Sequence, residues 1–269
     1  MRVRRLGWAG LELEEAGGGV AVVDLLEDLS GMAPFVGAPH EALPPARAGA
    51  AALALVTHLH ADHTDPAAIG RALAPGGVLL RPAPARGSGL ETAALAAAEQ
   101  GLAKADFEIR TVADWETVRV GPFAATAVPA VDGFGDPQVS WVVEAGGVRV
   151  FHGGDTLFHG AWWLIASRLG PIDAAFLPCN AAVCDFPHRQ PASPLPATLD
   201  PRQAATAARL LRAQVAVPIH YGAIHAPPVY AQVDDPAAAF EAAARAADVP
   251  VRVMGVGDEL DLVGAAAAA

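Results

Sequence analysis

Three histidines and an aspartate lie within six residues of this chain, in the segment His58-Leu59-His60-Ala61-Asp62-His63. The apolar run 50–56 before it is typical of a strand that is buried on both faces. After it, Asp65 and Pro66 are suited to begin a helix, as N-cap and first helical residue. The segment is therefore predicted to be a loop at the C-terminal end of a buried strand, which is where α/β folds place their sites.

The spacing of these side chains suits metal ligation. Side chains alternate along an extended strand, so His58 and His60 point to the same side. A turn at Ala61 lets Asp62 and His63 face a second point close by. Imidazole and carboxylate groups bind zinc, manganese or iron, so the two points predict a two-metal site. The alternative is a polar loop with incidental histidines, and it is disfavoured because three of the nine histidines of the chain lie here.

The pattern His-x-His-x-Asp-His resembles the signature of the metallo-β-lactamase-fold hydrolases. In that family the later ligands are a histidine, an aspartate in a Gly-Asp turn and a final histidine. The resemblance covers residues 6 to about 262, and the sequences around Pro129, Asp155 and His220 are most similar to the branch of ascorbate-6-phosphate lactonases and N-acyl-phosphatidylethanolamine phospholipases. It implies an α/β (α+β) fold, a four-layer αββα sandwich, in a single domain over residues 1–264.

Later positions match the other ligands of the family, with one departure. Asp155 lies in a Gly-Gly-Asp-Thr sequence, which resembles the turn whose aspartate bridges the two metals. His220 follows a predicted strand and resembles the last ligand of the second metal. Where the family has its middle histidine, this chain has Asp132. Either this carboxylate binds a metal, which would favour manganese or iron, or it fills a turn before Gly133.

The resemblance implies two divalent metal ions, zinc or manganese, with iron as a third candidate. The implied activity is hydrolysis of an ester, lactone or phosphodiester bond of a small molecule by a metal-bound hydroxide, with Asp62 as proton acceptor if only one metal is bound. The alternative is a non-catalytic metal-binding or regulatory relative, because the middle histidine is replaced. The first metal is assigned to His58, His60, Asp132 and Asp155, and the second to Asp62, His63, Asp155 and His220.

Two long segments, 29–48 and 179–199, are predicted to be loops that border the site and set its specificity. In the second loop, His188 and Arg189 are candidates for binding an anionic or polar group of the substrate. The alternative for each is a surface residue without a ligand. Tyr221 is a third candidate for substrate contact.

One further carboxylate is predicted to lie near the metals. Asp24 ends an apolar strand. Either it supports the ligand loop 58–63 without binding a metal itself, as in the resembling family, or it is an ordinary turn residue at the end of the strand.

Composition limits the partners and the cellular setting. The chain has 269 residues and a net charge of −11, which argues against nucleic acid or an anionic membrane as partner. No apolar run reaches about eighteen residues, so no membrane span is predicted. Cys179 and Cys184 are too few for a disulfide scaffold, and no signal peptide is recognised, so a cytoplasmic setting is expected. The expected partner is a small-molecule substrate, and a homo-oligomer stays open.

Helix and strand signals alternate along the chain, as in a mixed sheet. Three helices are predicted to begin at Asp-Pro pairs, since aspartate caps a helix and proline suits its first turn. The chain is predicted to close with a strand over 251–256 and to end in a frayed alanine tail, 265–269. The predicted helices span 67–73, 91–104, 161–168, 200–212 and 235–246.

Overall fold

The computed structural model describes residues 1–263, in which strands and helices alternate. The α-helices are α1 (Ala33–Val36), α2 (Pro66–Ala72), α3 (Ala96–Leu102), α4 (Trp162–Leu169), α5 (Pro201–Leu210) and α6 (Pro236–Ala246). The strands are β1 (Arg2–Arg5), β2 (Leu11–Glu14), β3 (Val20–Val23), β4 (Ala51–Leu55), β5 (Leu73–Pro82), β6 (Glu108–Val112), β7 (Thr117–Val120), β8 (Phe123–Pro129), β9 (Val139–Ala145), β10 (Val148–His152), β11 (Ala174–Pro178), β12 (Val183–Cys184), β13 (Val215–Ile219), β14 (Tyr230–Ala231) and β15 (Glu259–Asp261).

Most of these strands form two sheets. The larger sheet has seven strands in the order β15-β1-β2-β3-β4-β5-β6, and the smaller has six in the order β13-β11-β10-β9-β8-β7. Strands β3 to β6 run parallel in the larger sheet, and β10, β11 and β13 run parallel in the smaller. Parallel neighbours end at the same edge of a sheet, so the loops that follow them gather on one side. Strands β12 and β14 form a separate ribbon.

Three apolar layers hold the sheets and helices together. The central layer lies between the sheets and includes Leu53 and Leu55 from the larger sheet and Trp141 and Phe176 from the smaller. A second layer packs α2 and α3 on the outer face of the larger sheet. The third packs α4, α5 and α6 on the outer face of the smaller. Side chains that alternate along each strand supply both faces, and the predicted αββα sandwich is confirmed.

The three predicted Asp-Pro helix starts are confirmed. The carboxylates of Asp65, Asp200 and Asp235 accept hydrogen bonds from backbone N–H groups in the first turns of α2, α5 and α6. Asp200 has a reciprocal cap, because its own backbone N–H donates to the side chain of Gln203 at 3.1 Å. Helix α5 therefore begins at a fixed point, directly after the segment 179–199.

The end of the chain departs from the sequence prediction. Val251 makes one isolated bridge to Ala216, and the rest of 251–256 is not a strand. The chain then turns between Gly255 and Asp258, where the backbone is hydrogen-bonded across the turn. The closing strand is β15, which pairs with β1 at the edge of the other sheet. The predicted strand is wrong because this apolar run carries the chain from one sheet to the other.

Two of the predictions differ from the structure in detail. The helix predicted over 91–104 is shorter, because a 3-10 turn at Ala93–Leu95 precedes α3. The predicted loops 29–48 and 179–199 contain the short elements α1 and β12. The predicted tail 265–269 lies outside the described residues. Within residues 1–263, no helix is both long enough and apolar enough to span a bilayer.

Replacing Asp200 with alanine is expected to lower the free energy of unfolding by about 1 kcal/mol, because the cap on α5 is lost. The measurement is urea unfolding followed by circular dichroism. The control is Thr206→Ala, an exposed position in the same helix, which is expected to change the free energy by less than about 0.5 kcal/mol. Equal stability of Asp200→Ala and the wild type would contradict the contribution of the cap.

Candidate metal centre

The ends of four strands bring the seven predicted metal ligands together. The segment after β4 carries four of them, and one follows each of β8, β10 and β13. All seven side chains are buried, although each is polar or charged. They are His58, His60, Asp62, His63, Asp132, Asp155 and His220.

The first cluster consists of His58, His60, Asp132 and Asp155. One nitrogen or oxygen from each lies within 4.8 Å of the others. His58 Nε2 lies 3.6 Å from Asp155 Oδ2, and His60 Nδ1 lies 3.8 Å from Asp132 Oδ1. These separations are too long for hydrogen bonds, and they suit ligands around one ion with bonds of about 2 Å. The cluster is the set that the sequence predicts for the first metal.

The second cluster lies directly beside the first. His63, Asp155 and His220 again have atoms within 4.8 Å of one another. Asp62 Oδ2 lies 3.7 Å from His63 Nε2 and 3.6 Å from His220 Nε2. His58 also groups with Asp62 and His63, so the two clusters are contiguous. Asp155 belongs to both, as expected of a bridging carboxylate.

Four of the ligand atoms are buried without a hydrogen-bond partner among the described residues. They are His58 Nε2, His63 Nε2, His220 Nε2 and Asp132 Oδ1. A buried polar atom that lacks a partner costs about 1–3 kcal/mol. Imidazole nitrogens and carboxylate oxygens are the atoms that bind zinc, manganese and iron, so a divalent cation would satisfy them. The residues present therefore fit a metal site.

The carboxylate of Asp132 is oriented both for a turn and for a ligand role. Its Oδ2 accepts hydrogen bonds from the backbone N–H groups of Phe134 at 2.7 Å and Asp136 at 2.9 Å. Its Oδ1 is free of such bonds and lies on the side of His60. One oxygen of Asp132 thus fills the turn, and the other is oriented for metal binding. The two alternatives that the sequence leaves open are compatible with each other.

Burial and mutual proximity shift the pKa values of the ligands. Burial, reinforced by the carboxylate of Asp132, raises the pKa of Asp155 to about 7. Burial by itself would lower the pKa of His63, but the carboxylates of Asp62 and Asp24 outweigh it and raise the pKa to about 9. Protons and a metal ion therefore compete for Asp155 and His63, and metal affinity is expected to fall as the pH drops.

The contacts of Asp24 are those of a residue that supports the metal loop. The carboxylate of Asp24 is fully buried, and it accepts hydrogen bonds from the backbone N–H of Thr57 at 2.8 Å and from the Thr57 hydroxyl at 2.7 Å. It also accepts from His63 Nδ1 at 2.7 Å. The Thr57 hydroxyl lies 3.0 Å from His58 Nδ1. Because both Nδ1 atoms are held, His58 and His63 present Nε2 to the centre.

Asp136 supports the first cluster and was missed by the sequence analysis. Its carboxylate accepts a hydrogen bond from His60 Nε2 at 2.9 Å, which leaves Nδ1 of that histidine facing Asp132. A weak signal was present, since a second carboxylate follows Asp132 by four residues in the same loop. Gln138, with its amide oriented to suit its neighbours, donates to Asp155 Oδ1 at 2.6 Å.

Two residues that support the second cluster left no signal in the sequence. Trp8 Nε1 donates to Asp62 Oδ2 at 3.2 Å, and its ring centroid lies 4.2 Å from that of His220. Asn180 Oδ1 lies 3.3 Å from His220 Nδ1 and accepts from the Thr198 hydroxyl at 2.7 Å. These contacts hold His220 with Nε2 towards Asp62.

A cavity of about 350 Å³ opens beside the ligands. Four of the ligands line it, namely His60, Asp62, Asp155 and His220. The predicted loops 29–48 and 179–199 both contribute to its wall. Most of the other lining residues are apolar or small, and they include Met32, Phe35, Ala93, Ala94, Ala97, Phe134, Ala182, Cys184, Phe186, Ala197 and Tyr230.

The three residues predicted to bind substrate lie in different settings. His188 and Arg189 both line the cavity. The guanidinium of Arg189 is already engaged, because it donates to the carboxylate of Asp136. Tyr221 is not among the described residues that line the cavity, and its ring instead packs under the guanidinium of Arg5 at 4.7 Å. Substrate contact by these three residues stays a prediction.

Known proteins are similar to this chain in sequence or in fold. The family described as "Beta-lactamase superfamily domain" matches residues 21–221, which include all seven clustered residues. A metal-dependent hydrolase from Thermococcus kodakarensis is 29% identical over 177 residues, which are 63% of this chain and 66% of the relative, just under two thirds of its length.

Solved structures are similar over nearly the whole chain. A metallo hydrolase from Ignicoccus hospitalis superposes with a TM-score of 0.65 at 20% identity, covering 96% of this chain and 97% of that one. CmlA, a diiron β-hydroxylase from Streptomyces venezuelae, gives a TM-score of 0.71 at 16% identity, covering 97% of this chain and 54% of that one. At such low identity the likeness shows the fold.

Replacing Asp24 with asparagine is expected to weaken metal binding by about 10- to 100-fold, because the amide keeps the shape but loses the charge that holds His63. Affinity is measured by competition with a chromophoric chelator. The control is Asp173→Asn, another buried carboxylate that accepts hydrogen bonds from Arg149 and Gln214 instead. Unchanged affinity in Asp24→Asn would show that the contact does not support the centre.

Proposed function

The chain belongs to the β-lactamase superfamily, and we propose that it is a metal-dependent hydrolase that cleaves an ester, lactone or phosphodiester bond of a small molecule. The observation that carries this proposal is the pair of adjacent clusters that share Asp155 beside a cavity. The relatives that are named as metal-dependent hydrolases support it. No name among them identifies the bond that is cleaved, so the substrate has to be argued from the cavity.

Two divalent ions are the proposed cofactors. The first set contains two carboxylates beside two imidazoles, which favours manganese or iron over zinc. When bound, the ions activate water and polarise the bond under attack. The first ion is assigned to His58, His60, Asp132 and Asp155, and the second to Asp62, His63, Asp155 and His220.

The protein's own residues prepare the site for hydrolysis. The indole N–H of Trp8 donates to Asp62 Oδ2 and so fixes the orientation of that carboxylate. If one ion is bound, the carboxylate of Asp62 accepts the proton of the attacking water. The apolar lining of the cavity limits bulk water, which strengthens the electrostatic interactions at the reacting bond.

A reducing setting such as the cytoplasm is part of the proposal. Cys179 and Cys184 are both buried and both free thiols. Burial raises the pKa of Cys184 to about 12, so this thiol stays protonated beside the cavity and takes no part as a nucleophile.

Asp62→Ala and His220→Ala are each expected to lower kcat/KM by more than about 100-fold while circular dichroism stays unchanged, because each removes a ligand of the second ion. Hydrolysis is followed with 4-nitrophenyl esters, a lactone and bis(4-nitrophenyl) phosphate. The control is His40→Ala, an exposed histidine outside the centre. Full activity in either ligand variant would contradict the assignment, and no hydrolysis by the wild type would favour a non-catalytic relative.

Elemental analysis is expected to find about two metal equivalents per chain in the wild type and about one in Asp132→Ala. Asp132→His is expected to keep two and to shift the preference from manganese or iron towards zinc, because imidazole suits zinc better than a carboxylate does. If Asp132→Ala retains both ions with an unchanged preference, Asp132 is not a ligand.

A further inference from the structure

Aromatic rings form a row that begins at a metal ligand and continues along the cavity wall. The ring centroid of His60 lies 5.9 Å from that of Phe134, Phe134 lies 6.0 Å from Phe186, and Phe186 lies 6.1 Å from Phe35. All four residues line the cavity. Phe186 is buried and Phe35 is 41% exposed, so the row leads from the centre towards solvent. A substrate bond held at the ligands therefore has an aromatic surface beside it.

The cation in this wall is paired within the protein. Of the described residues that line the cavity, Arg189 is the only one with a permanent positive charge. Its guanidinium donates to the carboxylate of Asp136 and to the carbonyl oxygen of Phe134, and it lies 5.0 Å from the centre of the Phe134 ring. Moving it towards a substrate anion would break these contacts and leave the Asp136 carboxylate without its cation.

The neighbouring histidine, His188, packs against an aromatic ring of the same wall. His188 stacks on Phe186 with 5.5 Å between ring centroids. Burial and the nearby guanidinium of Arg189 lower the pKa of His188, which disfavours the positively charged form of its imidazole. An anionic group placed beyond the predicted ligands would thus meet aromatic rings and, among the described lining residues, no unpaired guanidinium or ammonium group. Burying an unpaired charge is unfavourable, whereas an apolar ring gains from burial and from aromatic contacts.

We propose that the substrate is an uncharged ester or lactone whose acyl part carries an aromatic or other apolar group, which lies against Phe134, Phe186 and Phe35. This inference rests on the proposed hydrolase function and specifies it further, as an apolar, uncharged acyl group beside the bond that is cleaved. In the reaction water adds to the acyl carbon and the acyl C–O bond breaks. An ester gives a carboxylic acid and an alcohol, and a lactone gives a single hydroxy acid, so water is the only co-reactant.

The test compares three esters with the same leaving group: 4-nitrophenyl acetate, 4-nitrophenyl phenylacetate and the phenylacetate with a para-sulfonate on its ring. Release of 4-nitrophenolate is measured with protein loaded with manganese or zinc, after subtraction of the rate with metal alone. The phenylacetate is expected to have a kcat/KM at least about tenfold above the acetate, and the sulfonate is expected to abolish that gain.

Phe35→Ala is expected to reduce the phenylacetate-to-acetate ratio by about tenfold. Because Phe35 is 41% exposed, this variant is expected to fold. Phe107→Ala, which removes a ring that packs outside the larger sheet, is the matched control and should keep the wild-type ratio. A wild-type ratio near one, or equal rates for the sulfonated and unsulfonated esters, would overturn the inference.

A binding measurement distinguishes failure of this inference from failure of the proposed function. If neither the esters, the lactone nor bis(4-nitrophenyl) phosphate is hydrolysed, the hydrolase proposal fails, and binding of benzamide, a neutral aromatic amide, is then measured by saturation-transfer NMR. Benzamide is expected to bind the wild type and Phe107→Ala and to bind Phe35→Ala several-fold more weakly. Equal binding to all three proteins would overturn the inference that Phe134, Phe186 and Phe35 bind an aromatic group.

Discussion

Burying three carboxylates in one place is the constraint on which the rest of this structure depends. Asp62, Asp132 and Asp155 are at most 7% exposed, so water does little to stabilise their charge. The protein compensates with an indole N–H from Trp8, two backbone N–H groups for Asp132 and an amide from Gln138. These donors do not neutralise the charge. A divalent cation would, so the cost of burying these carboxylates favours metal binding at this site.

The predicted ligands follow strands of both sheets, so the two sheets have to be held in a fixed position relative to each other. Two hydrogen bonds do this immediately before the histidine segment. The backbone N–H of Val139 donates to the carbonyl oxygen of Thr57 at 2.9 Å, and Trp141 Nε1 donates to the carbonyl oxygen of Val56 at 3.1 Å. Both bonds join the end of β4 to β9 across the sandwich. The central apolar layer and the metal centre are therefore parts of one packing arrangement.

The sequence reveals those parts of the site whose chemistry is local. The spacing within 58–63 and the glycine turn before Asp155 are visible without a structure, and the resemblance that they support predicts the sandwich. Asp136, Trp8 and Asn180 could not be found in this way, because they lie 76, 54 and 40 residues from the side chains that they contact. Such contacts depend on how loops from different strands meet, and no short pattern encodes that.

The pairing of Arg189 with Asp136 has a consequence for how this chain can diverge. The same guanidinium shapes the cavity wall and, through Asp136, holds the ring of His60. Selection for a charged substrate cannot recruit Arg189 without disturbing the contacts of His60, a predicted metal ligand, so positions 136 and 189 are expected to change together or remain fixed. Phe35 has no such tie, since its ring contacts other rings at the mouth of the cavity. New specificities are therefore expected to arise more readily at position 35 than at positions 136 and 189.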